Sequence, residues 1–192
     1  MSTHQATLPL CQARYSQLLI IDAQERLAAH MPKNELSIAI CNTNRLIDAA
    51  KLLDVPIINT EQNSKGLGST IESIRDHLPD DIHTTDKTCF SCCTAGSFEH
   101  DLARHEERKQ VVLVGMESHI CILQTASGLQ HWGYQVFVAA DAVISRNPLN
   151  RDNALERMRH CGIHVTNTES VAFEWLGDSG NEKFRDVSKL FK

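Results

Sequence analysis

A carboxylate, an ammonium and a thiol stand at comparable places along this chain. Asp22 closes the apolar run Gln17 to Ile21, Lys87 closes the short run His83 to Lys87, and Cys121 follows the run Val111 to Val114. Glu61 and Asp141 end two further runs. In a parallel sheet, sites lie beyond the carboxyl ends of the strands. One charged residue there is unremarkable, because loops are polar. An acid, a base and a thiol meeting at one edge are the parts of a nucleophile site. The pattern alone leaves open that they are ordinary loop residues.

The elements that must position these groups centre on Val111 to Trp132, VVLVGMESHICILQTASGLQHW. Its first four residues read as a strand buried on both faces, which Gly115 breaks. Ser118 to Gln130 reads as a helix with Ser118 as N-cap, so Cys121 falls in the first turn. There the helix dipole favours the thiolate. On position alone, Cys121 reads equally as a small buried apolar residue.

Around this unit the sequence predicts alternating strands and helices. The strands are Gln17 to Ile21, Asp54 to Thr60, His83 to Lys87, Gln135 to Ala140 and Ile163 to Thr166. Glu61 to Gly68 reads as a loop, Ile71 to Leu78 as helix or coil, and Gly96 to Arg108 as a charged surface helix. Asn34 to Leu53 reads as an amphipathic helix with Ile38, Cys41, Leu46, Ala49 and Leu53 on its apolar side. Asn150 to Cys161 and Ser170 to Leu176 read as the last helices. The fold class is α/β: a three-layer α-β-α arrangement with a mostly parallel central sheet. Residues 1–15 read as a polar N-terminal arm that orders on the body or on a neighbouring subunit, and residues 16–192 as one domain.

Composition narrows the function classes. The chain has 192 residues, 42% hydrophobic and 22% charged, as in ordinary globular domains. A net charge of -5 argues against a general nucleic-acid-binding surface. No apolar run approaches a membrane span, and the N-terminus lacks the pattern of a secretory signal. Ser188-Lys189-Leu190 is not terminal, so it is not a peroxisomal address. Seven cysteines, an odd number, read as free thiols in a cytoplasmic protein. The turn after Ile21 has no glycine, so a dinucleotide cofactor is not expected, and neither is any other.

The motifs LLIIDAQERL, NTEQNSKGLG, DKTCFSC and GMESHICILQTA, with AADAVISR and ALERMRHCGIHVTNTESVAFEWL further on, resemble the isochorismatase-like cysteine hydrolases. Within them the chain is similar to the branch of bacterial hydrolases and eukaryotic isochorismatase-domain proteins. The likeness runs from about residue 16 to the tail and keeps the family's order. It implies the Rossmann-like isochorismatase fold, with Cys121 as nucleophile, Asp22 as acid and base, and Lys87 as electrostatic support. It also implies a non-proline cis peptide at Met116–Glu117 and an oxyanion hole from the backbone near Met116, Glu117 and Cys121. By the same matching, Gln24, Glu61, Gln62, Phe90 and Ser118 line the substrate pocket. The nicotinamidases of this superfamily bind a metal through Asp-x-His after the second strand. Here that segment is Thr60-Glu61-Gln62, so no metal is expected. Isochorismatases that cleave an enol ether typically lack the nucleophilic cysteine, which this chain has, so the resemblance implies a small amide, carbamoyl or related C–N substrate and not isochorismate; the expected partners are that substrate and further copies of the chain, with no nucleic acid and no membrane.

Several constellations compete with this reading. Cys89, Cys92 and Cys93 with His100 and His105 have a zinc-like start, but packed or pocket thiols suit the short spacing better. His119 and Cys121 are two residues apart, which points their side chains apart on a helix. An interaction protein without turnover, or a thiol redox protein using residues 89–93, remain the alternatives to a hydrolase.

Overall fold

Two runs of apolar residues occupy the middle of the molecule. β1, Ser16–Ile21, and β4, Gln110–Met116, are buried at every position, as strands covered on both faces must be. Alternation divides their side chains between two cores. Leu18, Ile20, Val112 and Val114 face one, and Leu19, Ile21, Val111 and Leu113 the other. The computed structural model describes residues 8–192.

The remaining strands are β2, Ile57–Gln62, β3, Thr84–Lys87, β5, Gln135–Ile144, and β6, His164–Thr166. The sheet order is β3-β2-β1-β4-β5-β6, and every neighbouring pair is parallel. The short strands β3 and β6 take the two edges, where few ladder bonds are left open. The helices are α1, Glu25–Ala28, α2, Lys33–Leu52, α3, Ser64–Leu67, α4, Glu72–Arg75, α5, Phe98–Ala103, α6, Leu123–His131, α7, Pro148–His160, α8, Thr168–Leu176, and α9, Phe184–Lys189. Leu46 and Ile47 of α2, Val171 and Trp175 of α8 and Val187 of α9 fill one core. Phe98 and Leu102 of α5, Ala126 and Leu129 of α6 and Leu155 and Met158 of α7 fill the other. The result is the three-layer α/β architecture. No helix among the described residues is long and apolar enough to cross a membrane.

This strand order has a functional consequence. From β1 the chain moves outward to β2 and β3, then returns to place β4 on the other side of β1. The order reverses between β1 and β4, which opens a crevice at their carboxyl ends.

The structure differs from the sequence reading at several elements. β4 continues through Gly115, and β5 through Asp141. Gly115 has φ +114°, and a Cβ there would lie 2.1 Å from the Ile21 carbonyl oxygen. Glycine therefore lets β4 pass close to β1 and does not end it. Glu61 and Gln62 belong to β2, and one turn of α3 follows. The expected surface helix shrinks to α5, whose Phe98 and Leu102 are buried. α2 buries Ala39, Asn42, Thr43, Leu46 and Ile47, whereas Ile38 and Cys41 face solvent. The apolar stripe misplaces that face because two polar residues belong to it; Asn42 Nδ2 is satisfied by the Asp141 carbonyl at 3.0 Å. α7 starts earlier than read, with Pro148 in its first turn and Asn147 accepting from the Leu149 N–H.

The described part of the N-terminal arm packs on the body. The Cys11 N–H donates to Glu174 Oε2 at 2.7 Å, and the Gln12 N–H to Gln110 Oε1 at 2.7 Å. Residues 1–7 of the arm lie outside the described residues.

Candidate active site

β1 delivers its last residue into the crevice. Asp22 follows β1 with φ +49°, a left-handed conformation uncommon outside glycine, and its side chain has no solvent exposure. Its N–H donates to the Thr60 carbonyl at 3.1 Å. Asp22 Oδ1 accepts from the Thr60 hydroxyl at 2.9 Å, and Oδ2 from Lys87 Nζ at 2.6 Å.

Lys87 ends β3, two strands away from β1, and its side chain reaches back past the end of β2. Its ammonium also donates to Gln62 Oε1 at 2.8 Å and lies within reach of the Cys89 and Phe90 carbonyls, at 3.2 and 3.4 Å. A buried ion pair survives its desolvation only when the remaining lone pairs and protons are also satisfied. Thr60, Gln62 and the two carbonyls do that here.

Cys121 enters from the other side of the switch point. Glu117 takes the N-cap position with extended backbone, and Ser118–Ile122 form a π-helical turn that leads into α6. The Cys121 side chain is buried, close enough to the Asp22 carboxylate to feel its charge. Burial foremost, and then Asp22, push the thiol well above its ordinary range, against the opposing pull of Lys87. The expectation of a resting thiolate is therefore corrected: beside a carboxylate in a dry site, the proton stays on sulfur. Burial pushes Lys87 down, but Asp22, followed by the Cys92 and Cys121 sulfurs, outweighs it and the net direction is up. The resting arrangement is an ammonium paired with a carboxylate, and a protonated thiol near them.

The other expected site residues separate into two groups. Gln62 holds Lys87, and its Nε2 donates to the Thr88 carbonyl at 2.6 Å. Phe90 offers its carbonyl to Lys87 and leaves its ring half exposed. Ser118 is fully buried, and its Oγ has no hydrogen-bond partner among the described residues. It does not cap the helix with its side chain, contrary to the sequence reading. The Met116–Glu117 peptide is cis. The Glu117 carboxylate is engaged by the Arg146 N–H and Nε at 2.9 to 3.2 Å.

Gln24 and Glu61 are each held by partners outside the Asp22–Lys87 pair. Gln24 is a buried clamp: its Oε1 accepts from the Gln62 N–H at 2.7 Å, and its Nε2 donates to the Gly68 carbonyl at 2.6 Å. Glu61 accepts from the Thr70 N–H and hydroxyl at 2.6 and 2.8 Å. Thr60 and Gln62 face Asp22 and Lys87, so strand alternation sends Glu61 to the opposite face. Asp141 binds the Thr168 N–H and hydroxyl at the start of α8, both at 2.8 Å. His119 Nδ1 pairs with Ser145 Oγ at 3.0 Å and so turns toward β5, not toward Cys121.

Two residues at the site were absent from the sequence reading: Thr60, described above, and Thr125. The Thr125 hydroxyl accepts from the Cys92 N–H at 3.0 Å, and Cys92 Sγ lies 3.8 Å from Thr60 Oγ1. The available signal for Thr60 was period two: it shares a strand face with Gln62. Burial foremost pushes the Cys92 thiol up to about 12. Cys92 is thus packed into the site, not set out for zinc, and among the described residues no group of three or more His, Cys, Asp or Glu is placed to hold a metal ion. A surface groove of about 430 Å³, lined by Pro56, Ile58, His83 and Arg104 among others, lies toward the amino ends of β2 and β3, away from the crevice.

Comparison with known proteins agrees with this architecture. The Isochorismatase domain model matches residues 16–170. A secreted isochorismatase effector, Isc1, of Phytophthora sojae is 41% identical over 160 residues, covering 82% of this chain and 76% of that protein. The structure of a MAR1 ribonuclease from Caenorhabditis elegans superposes with a TM-score of 0.88 at 36% identity, over 95% of this chain and 92% of that one. The YcaC gene product of Escherichia coli, described as an octameric hydrolase of unknown specificity, shares the fold with a TM-score of 0.87 at 22% identity, over 96% and 91% of the two chains. A family model that spans most of the chain, together with these relatives, places the protein: it belongs to the isochorismatase family.

Proposed function

We propose that this protein is a cysteine hydrolase of a small amide, carbamoyl or related C–N substrate, with Cys121 as nucleophile, Asp22 as acid and base and Lys87 as electrostatic support. The observation that carries the reading is the fully buried Lys87–Asp22 pair at 2.6 Å, with the buried Cys121 thiol near enough to feel both charges. A core that needed only packing would be more stable without an ion pair.

The chemistry follows from that arrangement. Asp22 takes the thiol proton as sulfur bonds to the substrate carbonyl carbon. Lys87 keeps the assembly charge-balanced while the oxyanion forms. Backbone N–H groups of the Glu117–Cys121 turn stabilise the oxyanion. Asp22 then hands its proton to the departing nitrogen, the C–N bond breaks, and a thioester remains on Cys121. Water attacks the thioester, gives a proton to Asp22 and releases the acid, and that proton returns to sulfur. Ser118 Oγ, buried without a partner, is suited to hydrogen-bond the substrate. No step runs through a metal, since Thr60 and Gln62 are committed to Asp22 and Lys87.

The same reading extends homo-oligomeric assembly to this chain, as described for YcaC. It also places the protein in a reducing compartment such as the cytoplasm, which suits its seven free thiols. A screen of amides, carbamates and ureas with wild type and Cys121→Ala tests it. Turnover that is lost in a folded Cys121→Ala supports the reading, and equal turnover by both overturns it. RNA belongs in the same screen because of the nematode protein's name, although a charge of -5 favours the small molecule.

A further inference from the structure

The end of β2 does more than border the site. Alternation sends Thr60 and Gln62 to one face, and each meets one half of the ion pair: Gln62 Oε1 accepts from Lys87, and the Thr60 hydroxyl donates to Asp22 Oδ1. Thr60 is fully buried. An ionised carboxylate only accepts, so the hydroxyl proton must point at Asp22, leaving the oxygen lone pairs to the Cys92 thiol 3.8 Å away. The Thr60 carbonyl also accepts from the Asp22 N–H at 3.1 Å, so one residue grips Asp22 by main chain and carboxylate together. The titratable groups that face Asp22 are Lys87 from β3, Cys92 from the segment after β3, and Cys121 from the turn after β4.

We infer that Thr60 is a positioning residue which, through its bond to Asp22 Oδ1, aims the carboxylate at Cys121 and sets the proton affinity of the Asp22–Cys121 pair. The inference rests on the hydrolase reading above. A hydrogen bond donated to a carboxylate stabilises its charged form. Removing it destabilises the ionised carboxylate, so the Asp22–Cys121 pair takes up a further proton more readily. A charge-assisted bond of ordinary strength corresponds to a shift of about one to two pH units.

The test is the pH dependence of Cys121 alkylation by iodoacetamide, which needs no substrate. Peptide mass spectrometry separates Cys121 from the other cysteines. The full chain is compared as wild type, Thr60→Val, Thr60→Ser and Asp22→Asn. The expected result is an acid limb displaced upward by about one to two pH units in Thr60→Val, restored in Thr60→Ser and replaced in Asp22→Asn by the ionisation of the thiol alone. If Thr60→Val does not unfold cooperatively, Thr60→Ala, which also lacks the hydroxyl, supplies the profile. A rate lowered equally at every pH, or a shift that Ser fails to reverse, means Thr60 only packs and overturns the inference. A profile unmoved by Asp22→Asn overturns the hydrolase reading itself, which separates the two failures.

Discussion

Replacing Lys87 by methionine keeps all but one atom of the side-chain length and removes the charge. In the native site, Asp22 and Lys87 are both without solvent exposure, and Lys87 Nζ is 2.6 Å from Oδ2. The variant leaves a buried carboxylate with the Thr60 hydroxyl as its side-chain donor, and leaves Gln62 Oε1 without its Lys87 partner. Removing one member of a buried pair costs about 3–5 kcal/mol, because the surviving charge keeps its full desolvation penalty. For a chain of this size that is a fall in Tm of about 6–20 °C. Asp22→Asn in the Lys87→Met background removes the stranded charge and should return much of the loss. The assay is urea unfolding followed by circular dichroism for the wild type, both single variants and the double. A Lys87→Met loss below about 1 kcal/mol, or a double variant whose loss equals the sum of the singles, would refute the claim that the two charges stabilise one another.

Three further outcomes follow from the same packing and hydrogen bonding. Burial foremost holds the thiols of Cys11, Cys92 and Cys121 above their ordinary range, whereas in the unfolded chain they ionise near pH 9. Above that pH the unfolded state binds fewer protons than the folded state, so stability should fall by about 4 kcal/mol per pH unit for the three together. Lys87, raised on balance, adds to the fall above about pH 10.5. Denaturant unfolding in reducing buffer at pH 8, 9 and 10 checks this, and a flat profile contradicts it. Gly115→Ala puts a Cβ 2.1 Å from the Ile21 carbonyl oxygen at a positive φ, so it should cost about 3 kcal/mol or more in urea unfolding; a loss under about 1 kcal/mol would show that β1 and β4 can separate freely. Asn147→Ala removes the cap bond to the Leu149 N–H and should cost about 1 kcal/mol by the same measurement, with no effect on catalysis.

What the sequence disclosed follows the range of the interactions. β1 and β4 are legible because a strand buried on both faces has to be a continuous apolar run. Asp22, Lys87 and Cys121 stand out because each follows such a run or a strand-like segment. Their meeting is not legible locally: 65 residues separate Asp22 from Lys87, and the pairing depends on a sheet order that places β2 between them. The state of the thiol was misread for a related reason. A helix N-terminus favours a thiolate, but Cys121 lies in a π-helical turn and its carboxylate neighbour comes from a distant strand. Glu61 shows how a one-residue shift matters in a strand. It sits in the matching segment, yet Thr60 and Gln62 own the face toward the site. Ile38 misled in the same way on α2, where Asn42 and Thr43 carry the buried face because a β5 carbonyl waits for Asn42.

Intact-mass spectrometry of the protein, acid-quenched during turnover of an amide or carbamoyl compound found in the screen, tests the nucleophile most directly. A nucleophilic Cys121 gives a mass increase equal to the acyl portion of the compound, mapped to Cys121 by digestion and absent in Cys121→Ala. Steady turnover with no covalent adduct in Cys121→Ala, or an adduct confined to another residue in the wild type, would contradict it.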